Sequence, residues 1–325
     1  MREIKKDIEQ LEEAYHQLSK RTPTGARLAL LLLDNLAELF MYKKVRLIFA
    51  HDSQFEPSLP PKYPIDKREK ILKHFNEKVN FLVSETQDIE RDEGEVIKIG
   101  HQIRNEAYHK GVLREEIILS VATIYFEILC KLLPRLWVGS FSYSHLEEVT
   151  TFLQRYGIPS FMINDQVLTE ICNRLIEGRT CPLNELCETL SEDLLRRIDE
   201  TVEGLEYLSS NTNPPSAPDE CLRKLQFTPM FLSNYKFANT DEGFREFIRT
   251  WDELLNKYKP PVTMGRIERW KGRASELKSE IKPGSAMRKF ASLDRELLPI
   301  ETMVGDAIFQ FDEEVNAEIH HQKGG

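Results

Sequence analysis

Apolar residues near the start of the chain fall at Ile4, Ile8, Leu11, Tyr15 and Leu18, the i, i+4, i+7, i+11, i+14 spacing of one helical face. Thr22-Pro23-Thr24-Gly25 breaks that pattern, and a leucine-rich stretch over 26–49 resumes it. This second helix is apolar enough to be largely buried, yet Asp34, Asn35 and Glu38 interrupt its middle. After the proline-bearing loop at 56–61, Asp66-Lys67-Arg68-Glu69 matches a capping box, in which an N-cap oxygen and an N3 carboxylate satisfy each other's exposed backbone donors. The helix it opens runs to about residue 84, with Ile71, Phe75, Val79 and Leu82 on one face. A further helix spans about 92–110 and ends at Gly111 as its C′ residue. Another spans 114–133 and stops at Pro134. Short connections between these helices predict a bundle over residues 1–140.

Beyond it the pattern stays helical. Ser144-His145-Leu146-Glu147 is a second capping box, and its helix ends near Gly157-Ile158-Pro159. Further helices fit 165–177, 183–189 and 192–208. Residues 209–218 carry three prolines and no periodicity, which reads as a linker. The expectation is an all-α protein with an N-terminal bundle (1–140), a helical connecting region (141–208), that linker, and a C-terminal helical unit (219–325).

Composition narrows the class. With 325 residues, 41% hydrophobic and 30% charged, the chain can bury its own core, which excludes a small disulfide scaffold, a disordered tail and a fibre. The first apolar face is interrupted by charges and does not form a secretory signal. The longest apolar run, 117–133, contains Ser120, Thr123, Glu127 and Lys131 at spacings of three and four, which predicts a core helix with one wet stripe and no membrane span. Five cysteines without a C-x-x-C suggest reduced thiols in a cytoplasmic setting and no structural zinc. Net charge is −9, carried entirely after residue 140, because the first 140 residues hold 22 basic and 22 acidic side chains. The neutral front half can therefore approach RNA more easily than the acidic back half.

Candidate chemistry lies in the stretch from His101 to Gly111. Val96, Ile99, Ile103 and Ala107 supply a buried face, leaving Arg104, Asn105 and His109 on the polar side. A histidine in the last turn faces the negative end of the helix dipole, and an arginine offers a planar fork matched to phosphate. Such a pair suits RNA cleavage without metal or cofactor: the imidazole moves the proton of a 2′-hydroxyl or of the leaving oxygen, and the guanidinium holds the scissile phosphate. At 100° per residue the two positions stand about 140° apart, so one ideal helix does not clamp a ligand between them.

Arg104-Asn105-x-x-x-His109 at the end of a bundle helix resembles the R-x(4-6)-H motif of the HEPN superfamily, many of whose members are metal-independent endoribonucleases in toxin, phage-defence and RNA-processing systems. The resemblance covers residues 20–140. It implies an all-α bundle that pairs two motifs across a homodimer, an RNA substrate, a polar residue after the arginine (here Asn105), and an acidic or polar residue on an early helix. Asp34, Asn35 and Glu38 are the candidates to line the cleft. If Arg104 faces them, Glu38→Ala would lower activity more than stability. Some members carry a tyrosine two residues after the histidine; here Gly111 occupies that place and Tyr108 precedes the histidine. The bland alternative pairs Arg104 and His109 with Glu106 or Glu95 as solvated helix residues, and Asp34 with a neighbouring helix.

In the C-terminal unit, residues 257–273 hold six basic side chains and one acid. Arg266, Arg269, Trp270 and Arg273 could share a face and contact RNA, with the indole stacking on a base; otherwise this is a solvated basic face with Trp270 in the core. The spacing over 182–202 is like a helix-turn-helix, but Glu192, Asp193, Asp199 and Glu200 would repel DNA. His320 and His321, with Glu314 and Glu318, could bind a metal weakly, but a frayed end is the better description. Besides a ribonuclease, the pattern admits a non-catalytic dimerisation or nucleotide-sensing scaffold, and an adaptor that binds a regulatory protein through residues 219–325.

Overall fold

The computed structural model describes residues 2–54, 61–110, 114–138, 146–158, 164–177, 181–211, 214–236 and 240–323. The fold is all-α, and no strand occurs among these residues. The helices are α1 (Arg2–Ser19), α2 (Pro23–Gln54), α3 (Ile65–Lys73), α4 (Phe75–Ser84), α5 (Arg91–Asn105), α6 (Glu115–Leu136), α7 (Leu146–Gln154), α8 (Asp165–Ile176), α9 (Leu183–Asn211), α10 (Pro218–Asn234), α11 (Asp241–Lys257), α12 (Met264–Glu276) and α13 (Pro283–Lys323). A π-helical turn at Glu106–Lys110 extends α5. The second sequence-predicted capping box begins outside the described residues, as does Gly111.

Several boundaries differ from the sequence pattern for local reasons. The expected break at 22–25 is a helix start: the Thr22 hydroxyl accepts the Gly25 N–H, and Pro23 sits where no donor is needed. Asp66 is not an N-cap, because α3 already begins at Ile65 after Pro64. The single helix expected over 66–84 is two, divided at His74, whose φ of −107° and ψ of 130° are extended. Pro134 lies inside α6, which runs two residues further and forgoes the one bond that the missing N–H would make. The pieces expected at 183–189 and 192–208 form one helix, α9, for Leu190 and Ser191 between them are fully buried and carry no breaker. The linker begins later than its composition suggests, since α9 runs through Asn211 and the Ser216 N–H donates back to the Ser209 carbonyl.

The chain divides into two compact units, Met1–Leu190 with Lys278–Lys289, and Ser191–Leu277 with Phe290–Gly325. This division falls within α9, whereas composition places boundaries at 140 and 208.

In the first unit α6 is central and packs against α2, α5 and α8, with α1 against α2. The stripe expected to be wet is half covered: Ser120 and Glu127 are buried, Thr123 is half-buried and Lys131 exposed, while Ser120 donates to Thr189 and Glu127 accepts the Cys181 N–H. Burial raises the Glu127 pKa against the opposing pull of that hydrogen bond and of Lys131. Among the described residues α6 is the one helix long and apolar enough to cross a membrane, and 78% of its apolar window is buried against the rest of the protein. Gly100 on α5 permits a close crossing, because a Cβ there would stand 2.8 Å from the Tyr125 ring.

The second unit has an aromatic core of Phe227, Phe231 and Leu255, flanked by Phe247, Trp251, Leu254 and Tyr258. Phe227 and Trp251 meet edge to face with centroids 4.8 Å apart. The Gln226 amide satisfies both backbone groups of Val262, donating to its carbonyl and accepting its N–H.

Candidate functional site

Three helices of the first unit, α2, α5 and α6, meet at one buried carboxylate. Asp34 of α2 has no exposed surface, and a charge so placed must be compensated. The Tyr125 hydroxyl of α6 donates to Oδ1 at 3.2 Å. His101 Nδ1 of α5 lies 3.1 and 3.0 Å from the two oxygens. Arg104 Nε is 3.3 Å from Oδ2, an ion-pair distance without hydrogen-bond alignment. Burial pushes the Tyr125 hydroxyl well above its ordinary pKa, and the Asp34 charge adds to the effect, so Tyr125 stays a donor.

The arginine is held at a second point, for Nη1 donates to Asn105 Oδ1 at 2.8 Å. The Asn105 amide nitrogen in turn lies 3.0 Å from His101 Nε2. Phe75 of α4 lies flat against the imidazole, with centroids 3.7 Å apart and planes 6° from parallel. His101, Arg104 and Asn105 occupy i, i+3 and i+4, so one turn of α5 aims all three at the same place. About 23% of the Arg104 side chain is exposed, and Nη2 has no hydrogen-bond partner among the described residues. Sequence reasoning brought Asp34, Arg104 and Asn105 forward and missed His101 and Tyr125. The one-turn spacing of His101 could have revealed the first, whereas Tyr125 looks like any aromatic in an apolar helix.

His109 lies in the π-helical turn, and its side chain is outside the described residues. The backbone there still bears on the 140° problem. A π-turn closes i to i+5 and advances by fewer degrees per residue than an α-helix, so the turn at Glu106–Lys110 narrows the angle between positions 104 and 109. Glu106 is not a partner of Arg104: its carboxylate takes Arg114 Nε and Nη2 at 3.1 and 3.0 Å, which ties the π-turn to the start of α6. Glu95 pairs with Lys98. Tyr108 is half-exposed.

Asn35 is exposed and points away from the Asp34 cluster. Glu38 does not reach Arg104; it pairs at 3.1 Å with Lys78, whose side chain is 2% exposed. Lys78 Nζ also donates to the Leu72 carbonyl, one of those left open where α3 ends at His74. The role expected of Glu38 therefore falls to Asp34. Glu38→Ala would strand a buried ammonium, and is expected to lower stability by about 1–3 kcal/mol with little effect on the Arg104 geometry. Urea denaturation of the variant checks this, and an unchanged midpoint would contradict it.

The basic residues of α12 form a separate cluster in the second unit. Trp270 is 1% exposed, so its ring faces are taken up by protein and offer no platform to a base, which corrects the stacking expectation. Its indole N–H, Arg266 Nη2 and Arg273 Nη1 all donate to Glu296, at 3.1, 2.9 and 2.8 Å. Arg269 points elsewhere and is exposed. Partial burial acts to raise the Glu296 pKa, but the hydrogen bonds from Arg266, Arg273 and Trp270 and the charge of Arg273 outweigh it and hold the group down at about 2. A lowered carboxylate stabilises the fold above its unfolded value, here 4.5, and loses that contribution as pH falls toward 2. The melting temperature of Glu296→Gln is thus expected to lie below wild type at neutral pH, with the gap narrowing as pH falls from about 4.5 toward 2. A gap that persists at low pH would contradict this account.

Comparison with protein-family models, with curated proteins and with solved structures gave no match.

Proposed function

We propose that this chain is a metal-independent endoribonuclease of HEPN type that cuts single-stranded RNA as a cytoplasmic homodimer, in a toxin or phage-defence setting. The observation that carries this reading is an arginine fixed at two points, by Asp34 and by Asn105, with Nη2 unpartnered among the described residues and a π-turn leading from it to His109. Pre-set donors of this kind stabilise the charge that develops on a phosphate in the transition state without reorganising. Arg104 holds the scissile phosphate and Asn105 fixes its direction. His109 takes the proton of the attacking 2′-hydroxyl or returns one to the leaving 5′-oxygen.

Purified protein is expected to cleave single-stranded RNA with EDTA present and to have the mass of a dimer at micromolar concentration. His109→Ala is expected to stop cleavage without changing the melting temperature. Equal cutting by that variant would remove the imidazole from the chemistry.

A second reading has its own support. Both oxygens of Asp34 have partners within the bundle, which also suits a non-catalytic dimerisation or nucleotide-sensing scaffold, and α10 and α11 expose Leu232, Phe244 and Ile248, as a protein-binding adaptor would. That reading expects capture of RNA, nucleotide or protein with no cutting, equally in wild type and His109→Ala.

A further inference from the structure

The polarity of every hydrogen bond around Arg104 follows from one fact, that a guanidinium can only donate. The Asn105 atom 2.8 Å from Nη1 must then be the oxygen, so the amide NH2 faces His101 Nε2 at 3.0 Å. A donor facing Nε2 requires a bare lone pair there. The ring proton is therefore on Nδ1, where both Asp34 oxygens accept it. The hydrogen bonds run one way, from Arg104 through Asn105 and His101 to Asp34, the ion pair between the two end groups closes the loop, and Phe75 holds the imidazole plane within it.

We propose that His101, as the neutral Nδ1–H tautomer, is a positioning residue that orients Arg104 through Asn105. This rests on the ribonuclease reading. Asp34 on α2 is the charged group that meets the ring, Arg104 on α5 and Tyr125 on α6 meet the same carboxylate, and the nearby Glu38 on α2 is paired with Lys78 on α4. A second proton on His101 would set a donor against the Asn105 NH2. The amide would have to turn, and its nitrogen would then face the donors of Arg104 and release Nη1. Asn105 can orient the arginine only while the imidazole accepts at Nε2.

Two measurements on the full chain test this. The first reads ring polarity without any activity: 15N NMR of the imidazoles at neutral to mildly alkaline pH, with the His101 signals identified by their loss in His101→Gln. Protonated Nδ1 and bare Nε2 are expected, and an Nε2–H tautomer overturns the proposal. The second compares His101→Leu, which has neither donor nor acceptor, with His101→Gln, which has one of each and cannot become charged. The leucine variant is expected to cleave RNA about 100-fold more slowly, as for a catalytic group misplaced by about 1 Å, and the glutamine variant to recover most of that loss. Equal loss in both variants, or no loss in either, overturns the positioning role. Wild-type protein that cuts no RNA would instead remove the ribonuclease reading, and the positioning role with it.

Discussion

Arg104→Lys is expected to lower RNA cleavage by about 100- to 1,000-fold, the range for losing one pre-set donor to a transition-state oxyanion, while the protein stays folded. The charge survives this change, so Asp34 keeps a cation within reach and the burial of its carboxylate remains compensated. What disappears is the fork. Arg104 meets Asp34 through Nε and Asn105 through Nη1, and still offers Nη2 to a phosphate. One ammonium on a flexible stem cannot satisfy a carboxylate, an amide oxygen and a substrate from three directions. Arg104→Ala is the poorer test, because it leaves Asp34 with only His101 and Tyr125 and confuses lost chemistry with lost stability. The checks are kcat/KM on a single-stranded RNA and the denaturation midpoint of the same preparation. A lysine variant that cuts like wild type would show that the guanidinium geometry is irrelevant.

The sequence exposes this site unevenly, and the reasons are physical. Periodicity reveals the helices because a buried face repeats every three or four residues, and Asp34 stands out because an acid in a leucine-rich helix violates that repeat. Asp34 and Glu38 share a face in sequence and part in the structure, since α3 and α4 break at His74 and bring Lys78 beneath Glu38. That break has no strong sequence signal. Tyr125 lies 91 residues from the carboxylate it bonds, and no local pattern encodes such a pairing. Asp193 illustrates the opposite error. Beside Glu192 it looks like a surface acid that would repel DNA, yet Leu190, Leu194 and Ile198 around it are fully buried, and Asp193 is buried with them. Its partner four residues on, Arg197, is the clue that charge counting overlooks.

Arg197→Met is expected to destabilise the protein by about 3–5 kcal/mol, the cost of stranding buried partners of a lost charge. Three carboxylates converge on this guanidinium in the second unit: Asp193 Oδ2 at 3.2 Å, Asp294 Oδ1 at 2.8 Å, and Glu301 with its two oxygens on Nε and Nη2 at 3.0 and 2.6 Å. Burial works against the charge on Arg197, and the hydrogen bonds and charges of Glu301 and Asp294 more than offset it, so the group stays protonated. Methionine fills much of the volume but leaves Asp193 and Asp294, both nearly inaccessible, without their common counter-charge. Acidification should narrow the deficit, because a neutral carboxyl needs no partner cation, and the triple variant Arg197→Met, Asp193→Asn, Asp294→Asn should recover part of it. Urea denaturation of the three proteins at neutral and acid pH measures both effects. A loss below about 1 kcal/mol would mean that water or neighbouring arginines such as Arg196, 3.1 Å from Asp193, already carry the compensation assigned to Arg197.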